Sequence, residues 1–270
     1  MRIYRATEQR RIGAVLRSGS SLLVVAESGM GKSVLGDAIA QELQEEGYLL
    51  AIVQPASTKQ LLLRIADQLG VEVTDLEGKN LTTTGLKGAI VDFLSTQTAF
   101  LICDDAHHFT PEMRRFLEEL HERHCPMLLL ATTPPAKDIF LKLPRIELKP
   151  LQDVAIRDIM AAHALELGLN IGTAQLAALQ QRCGGNPMLA KRVMQEEYLG
   201  LEDTAPDHTQ WIDGTPYLIA GLMVFGMVRV IGIGLNSTSL YLIGGILSVL
   251  VGILRIIFYS LPKKSSRLGN

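Results

Sequence analysis

The sequence predicts an α/β fold: a parallel sheet, a small helical subdomain after it, and two membrane-spanning helices at the end. Three observations carry this expectation. Short apolar runs at 21–26, 48–53, 99–103, 127–131 and 145–148 alternate with helical patterns, and such alternation argues for a parallel sheet covered on both faces. After Pro150 the pattern is helical only. From 217 to 261 the chain is almost purely apolar.

The first run, SLLVVA at 21–26, is short and rich in β-branched residues, as a buried strand requires. A glycine-rich turn follows it, then a helix over 32–46 that Gly47 stops. YLLAIV at 48–53 is a second buried strand, and 57–69 and 85–95 read as helices. AFLIC at 99–103 is the third strand. Thr110 can cap the next helix, with Pro111 at its first position. In that helix Met113, Phe116, Leu117 and Leu120 fall at i, i+3, i+4 and i+7, one apolar face, with Arg114 and Arg115 assigned to the solvated side. MLLLA at 127–131 is the fourth strand and 145–148 a short fifth. Helices over 153–167, 173–182 and 187–199 would form the small subdomain. The domain plan is therefore 1–150 for the sheet domain, 151–200 for the helical lid, 201–215 for a linker with Pro206 and Gly214, 216–261 for the membrane hairpin and 262–270 for a basic tail.

Composition narrows the function. The chain has 270 residues, a length that fits one sheet domain plus something smaller, and a formal net charge of −2. That near-neutral balance gives no global electrostatic case for nucleic acid, which is not among the expected partners. The three cysteines, Cys103, Cys125 and Cys183, match no zinc or CxxC spacing and read as reduced thiols.

Ala26-Glu27-Ser28-Gly29-Met30-Gly31-Lys32-Ser33 matches the phosphate-binding loop pattern, with alanine in place of its first glycine. Gly29 and Gly31 let backbone N–H groups turn inward around phosphate oxygens. The helix that begins near Lys32 adds its positive dipole end. Lys32 would reach the β- and γ-phosphates, and the Ser33 hydroxyl would coordinate Mg²⁺. Ser28 and Met30 complete the loop. An apolar strand before the motif and a helix after it are the context it needs.

FLICDD at 100–105 is an apolar strand ending in two acids. Acids at the carboxyl tip of such a strand sit where ligands bind in an open α/β sheet. Asp104 would hold Mg²⁺ through water, and Asp105 would orient and polarise the attacking water. Thr132 and Thr133 end the next strand. A polar group there can sense the γ-phosphate, with Thr132 favoured, although a threonine pair is also ordinary turn chemistry. His107 follows Asp105 closely and is a candidate for linking phosphate state to the helix after Thr110.

With AESGMGKS, FLICDDAH, LLLATT and the GGNP segment at 184–187, the chain resembles the AAA+ superfamily of P-loop ATPases over about residues 4–198. It looks closest to the compact bacterial group of secretion and transposition ATPases, which also begin with a short helix, here around 7–16. The resemblance implies a five-stranded core with a helical lid, ATP bound between them with Mg²⁺, and ring or filament assembly. It also implies that Arg145, just before the fifth strand, enters the neighbouring subunit's site, and that Asn186 and Pro187 lie near the nucleotide. Two departures stand out. Family members carry Asp-Glu where this chain has Asp104-Asp105, so slow hydrolysis is compatible with the shorter side chain. The lid arginine of many members is replaced by Met188, with Lys191 or Arg192 one turn later. The Asp-Asp pair and GGNP are also similar to STAND-type signalling NTPases.

The stretches 217–235 and 240–260 are each long enough to cross a bilayer, since about 20 residues at ~1.5 Å rise span a ~30 Å core. Only NSTS at 236–239 separates them, which permits only a tight hairpin. Lys263, Lys264 and Arg267 follow the second stretch and the loop carries no charge, so the tail is expected in the cytosol. Residues 1–11 are arginine-rich with no apolar run after them, which puts the ATPase domain on the same side. The sequence therefore describes a multi-pass inner-membrane ATPase with both termini cytosolic, whose expected partners are ATP, the lipid bilayer, further copies of itself and an unidentified protein. A nucleotide-gated signalling switch with the hairpin as effector is the alternative.

Overall fold

The computed structural model describes residues 4–74 and 78–201. The hairpin at 216–261, the basic tail and nearly all of the linker lie outside the described residues. Among the described residues, no helix is long and apolar enough to cross a membrane.

The elements run α1 (Ala6–Arg17), β1 (Leu22–Val25), α2 (Lys32–Glu45), β2 (Leu49–Val53), α3 (Thr58–Leu69), α4 (Thr83–Thr96), β3 (Ala99–Cys103), a 3₁₀ turn (Ala106–His108), α5 (Pro111–Glu122), β4 (Met127–Ala131), α6 (Ile139–Lys142), β5 (Arg145–Glu147), α7 (Asp153–Glu166), α8 (Thr173–Gln181) and α9 (Pro187–Tyr198). The five strands form one parallel sheet in the order β2-β3-β4-β1-β5. The fold class read from the sequence is the observed one for the sheet and lid.

Alternate side chains of each strand face opposite layers, the period-2 geometry of a pleated sheet. Leu23, Val25, Leu101, Cys103, Leu129 and Ala131 face a core closed by α3, α4 and α5. Leu22, Val24, Phe100, Ile102, Leu128 and Leu130 face α1 and α2. Two-sided burial explains why these strands read as continuous apolar runs. On the edge strand β2, the Gln68 amide accepts from Ile52 N–H at 2.8 Å and donates to Ile52 C=O at 2.9 Å, standing in for a neighbouring strand.

Local chemistry fixes the helix starts. Ser57 and Gln60 form a reciprocal capping box on α3. Thr110 caps α5 by accepting from Met113 N–H at 3.2 Å, with Pro111 at the first position. Cap and proline together place the start of α5 just beyond the 3₁₀ turn that follows the acidic tip of β3. The Thr110 hydroxyl also bonds that of Thr58 at 2.8 Å, tying α5 to α3. Helices α7 to α9 build a separate small core around Met160, Cys183, Ala190, Val193 and Met194, the expected lid, and Tyr4 packs against it. All three cysteines are buried, and none forms a disulfide.

One expectation needs correction. Arg114 is buried rather than solvated: its Nε donates to Asp138 at 3.0 Å and its guanidinium also donates to the Phe109 carbonyl at 2.9 Å. A buried guanidinium needs such partners, and here they fasten α5 to the turn that opens α6.

Candidate nucleotide-binding site

The site is built at the carboxyl edge of the sheet. β4 lies between β1 and β3, so the residues that follow these three strands come together: the loop at 26–31, Thr132 and the pair Asp104–Asp105.

Gly29 and Gly31 both take positive φ, 79° and 84°, a region open to glycine and costly for other residues. Gly31 is the residue immediately before α2. The carbonyls of the loop are all committed. Lys32 Nζ donates to Ala26 O at 3.1 Å and Glu27 O at 3.0 Å. Asn186 Nδ2 donates to Ser28 O at 2.9 Å, and the Met188 N–H reaches Gly29 O at 3.3 Å. Arg5 donates to Met30 O at 3.1 Å. By contrast, the N–H groups of Gly29 and Gly31 take no hydrogen-bond partner among the described residues. Free donors at the start of a fourteen-residue helix suit an anion.

Lys32 is 6% exposed. Burial lowers its pKa, and the carboxylates of Asp105 and Asp104 act against that shift. The buried ammonium thus lies in the field of both carboxylates. Asp104 is 7% exposed, its N–H donates to Val53 O at 2.9 Å, and its Oδ1 accepts from Asp105 N–H at 3.0 Å. Its second oxygen is the one a hydrated Mg²⁺ would use. Ser33 lies in the first turn of α2, exposed. These residues fit a nucleoside triphosphate with Mg²⁺: free loop N–H donors, one buried ammonium, one hydroxyl and one buried carboxylate.

Asp105 stands differently. It holds a left-handed conformation, φ 45°, and its side chain is 47% exposed. His107 Nδ1 lies 4.0 Å from its carboxylate. The same ring nitrogen accepts from Thr132 N–H at 3.4 Å, so His107 bridges the tips of β3 and β4. Thr132 is half-buried and Thr133 exposed. Burial lowers the His107 pKa, and His108 and Lys32 push the same way against Asp105 and Asp104. The shift disfavours the imidazolium, in keeping with the acceptor role of Nδ1.

Arg145 and Arg192 both have ion-pair partners within this chain. Arg145 is exposed at the start of the edge strand β5 and pairs with Glu147 at 3.3 Å. Arg192 donates to Glu196 on its own helix at 2.7 Å. Asn186 and Pro187 do lie at the loop, but through protein contacts: Asn186 caps α9 and Pro187 opens it. The expectation also missed Arg5, whose side chain holds both Met30 O and Lys149 O, the latter at 2.9 Å. A lone arginine near the chain start carries no sequence signal for this role.

Residues 16–140 match the family model described as AAA domain. No curated protein matches the chain significantly. Among solved structures, Cdc6p from Pyrobaculum aerophilum superposes with a TM-score of 0.56 at 15% identity, covering 87% of this chain and 76% of that one. The RuvB Holliday junction branch migration motor of Thermotoga maritima gives a TM-score of 0.48 at 16% identity, covering 75% of this chain and 66% of that one, just under two thirds of its length. The sheet and lid thus have the fold of an AAA+ P-loop ATPase.

Proposed function

We propose that this protein is a membrane-anchored AAA+-like ATPase that binds Mg-ATP and hydrolyses it to drive assembly or remodelling of a partner at the inner face of the membrane. The observation that carries the nucleotide reading is the loop itself, with its carbonyls committed and the Gly29 and Gly31 N–H groups unpartnered among the described residues, beside buried Lys32. In this reading Lys32 and the loop N–H groups hold the phosphates, Ser33 and Asp104 hold Mg²⁺, and Asp105 aligns the water while Thr132 contacts the γ-phosphate. The metal supplies charge neutralisation on the phosphates. The anchor rests on the apolar stretches 217–235 and 240–260 with the basic tail after them. Self-assembly and kinship with the secretion and transposition ATPases belong to the same proposal, as does the STAND-like switch in which turnover only resets an assembled state. The half-exposed Asp105 favours keeping that second reading.

One preparation tests the proposal. The full chain should stay in the membrane fraction through high salt and leave it in detergent. The solubilised chain should bind Mg-ATP, and Lys32→Ala should lose that binding. Salt extraction would end the anchor reading, and wild-type ATP affinity in Lys32→Ala would end the site assignment.

A further inference from the structure

The contact between the lid and the phosphate loop is made by one side chain with two jobs. Asn186 Oδ1 accepts from the N–H groups of Met188 at 2.9 Å and Leu189 at 3.3 Å, which caps α9. Its Nδ2 donates to Ser28 O at 2.9 Å. The first turn of α9 then lies on the loop. The Met188 N–H also reaches Gly29 O at 3.3 Å, and a Cβ placed on Gly29 would come within 2.7 Å of Met188 Cβ and 2.8 Å of Asn186 Oδ1. Glycine is needed at this position twice over, for its φ of 79° and for the approach of the lid. Met188 brings no charge to this contact, so the attachment is through Asn186 and the backbone.

We propose that Asn186 is a positioning residue that latches the lid to the phosphate loop and transmits nucleotide occupancy from the loop to α9. The inference rests on the nucleotide-binding reading of the loop. The lid holds the Ser28 and Gly29 carbonyls. The N–H that shares a peptide with Ser28 O, that of Gly29, has no partner among the described residues, whereas Met30 N–H turns back to Glu27 O at 3.4 Å. A phosphate that immobilises the Gly29 N–H immobilises the same peptide unit, and so steadies the first turn of α9. Arg5 grips the next carbonyl, Met30 O, together with Lys149 O just ahead of the lid, so the loop is fixed on its lid side at consecutive peptides. Asn186 acts through the loop and touches no phosphate.

Asn186→Ser separates the two jobs. Serine is a good helix cap, but its short hydroxyl does not reach Ser28 O as the amide does. The full chain is compared with Asn186→Ser, Asn186→Ala and Lys32→Ala by ATP titration, thermal melting, and amide exchange at Met188 and Leu189 with and without Mg-ATP. In the wild type, Mg-ATP should slow exchange at both amides. Asn186→Ser should melt with the wild type and bind ATP roughly 5-fold more weakly, the loss of one net hydrogen bond. At saturating nucleotide its α9 amides should no longer respond. Asn186→Ala should also melt earlier, because the cap is gone. A wild-type ATP affinity and a full α9 response in Asn186→Ser would overturn the latch while leaving the nucleotide site intact. Equal ATP affinity in the wild type and Lys32→Ala would remove the nucleotide reading, and the latch with it.

Discussion

The phosphate loop and the acidic tip of β3 lie on the same edge of one sheet, yet they are held to different degrees. Around the loop, five successive carbonyls from Ala26 to Met30 have donors, drawn from Lys32, the lid and the amino-terminal arm. At the acidic tip, Asp104 is buried and bonded through its own backbone, whereas Asp105 is half-exposed in a left-handed turn with only His107 nearby, at 4.0 Å. In the proposed function, loop geometry governs ground-state binding of phosphate, and Asp105 governs the attacking water. The first is organised within a single chain; the second leaves room for other groups to complete it. Such a division fits a protein that binds nucleotide firmly and turns it over slowly unless assembled.

The largest effect that sharpens the contrast is on turnover. Asp105→Asn should leave Mg-ATP affinity within about 2-fold of the wild type, because Lys32, Ser33 and Asp104 are untouched, and should bring hydrolysis to background. Phosphate release measured at saturating ATP decides it. Turnover at the wild-type rate would move the catalytic role away from this tip and erase the functional difference between the two regions.

Arg145 tests whether a second subunit completes the acidic tip. Within one chain it is far from that role, exposed on β5 and paired with Glu147. If it acts across a subunit boundary, Arg145→Ala should bind ATP normally and hydrolyse it up to roughly 10³-fold more slowly. Mixing Arg145→Ala with Asp105→Asn should restore activity above either alone, because some interfaces then pair an intact Asp105 site with an intact Arg145. With subunit exchange shown by a labelled control, absence of recovery would confine Arg145 to its local pair.

What the sequence made legible follows from how local each signal is. β3 and β4 were readable because two-sided burial makes AFLIC and MLLLA uniformly apolar, and their observed bounds match those runs. The start of α5 was readable because Thr110 and Pro111 sit side by side. The turn at Ala106–His108 and the four-residue α6 were not, since neither is long enough to show a period. Burial of Arg114 depends on Asp138, 24 positions away. The site divides in the same way. Loop and acids are contiguous motifs, so they could be read. The hold of Asn186 on Ser28 spans 158 positions and that of Arg5 on Lys149 spans 144, and no local pattern announces either.

The smallest effect concerns His107, the side chain that joins the less organised tip to β4. His107→Ala should remove the acceptor for Thr132 N–H and slow turnover about 3- to 10-fold, with Mg-ATP affinity unchanged, in line with the modest net value of one hydrogen bond. His107→Asn offers a carbonyl oxygen near the position of Nδ1 and should recover part of the rate. The pH dependence separates this role from simple packing. Burial, helped by His108 and Lys32, lowers the His107 pKa from its usual 6.5, so the folded chain takes up this proton less readily than the unfolded one. Stability from this group is then fully present above about pH 6.5 and falls as pH drops toward the lowered folded value, where the unfolded state binds the extra proton. Turnover should fall with protonation of the folded chain, because an imidazolium cannot accept from Thr132 N–H. The wild type should lose turnover as pH falls below 6.5 toward the lowered folded value, and His107→Asn should lose less over the same range. Parallel profiles for the two would show that the bridge between the strand tips does not position the catalytic groups, leaving the openness of Asp105 to be closed by the nucleotide or by a neighbouring subunit.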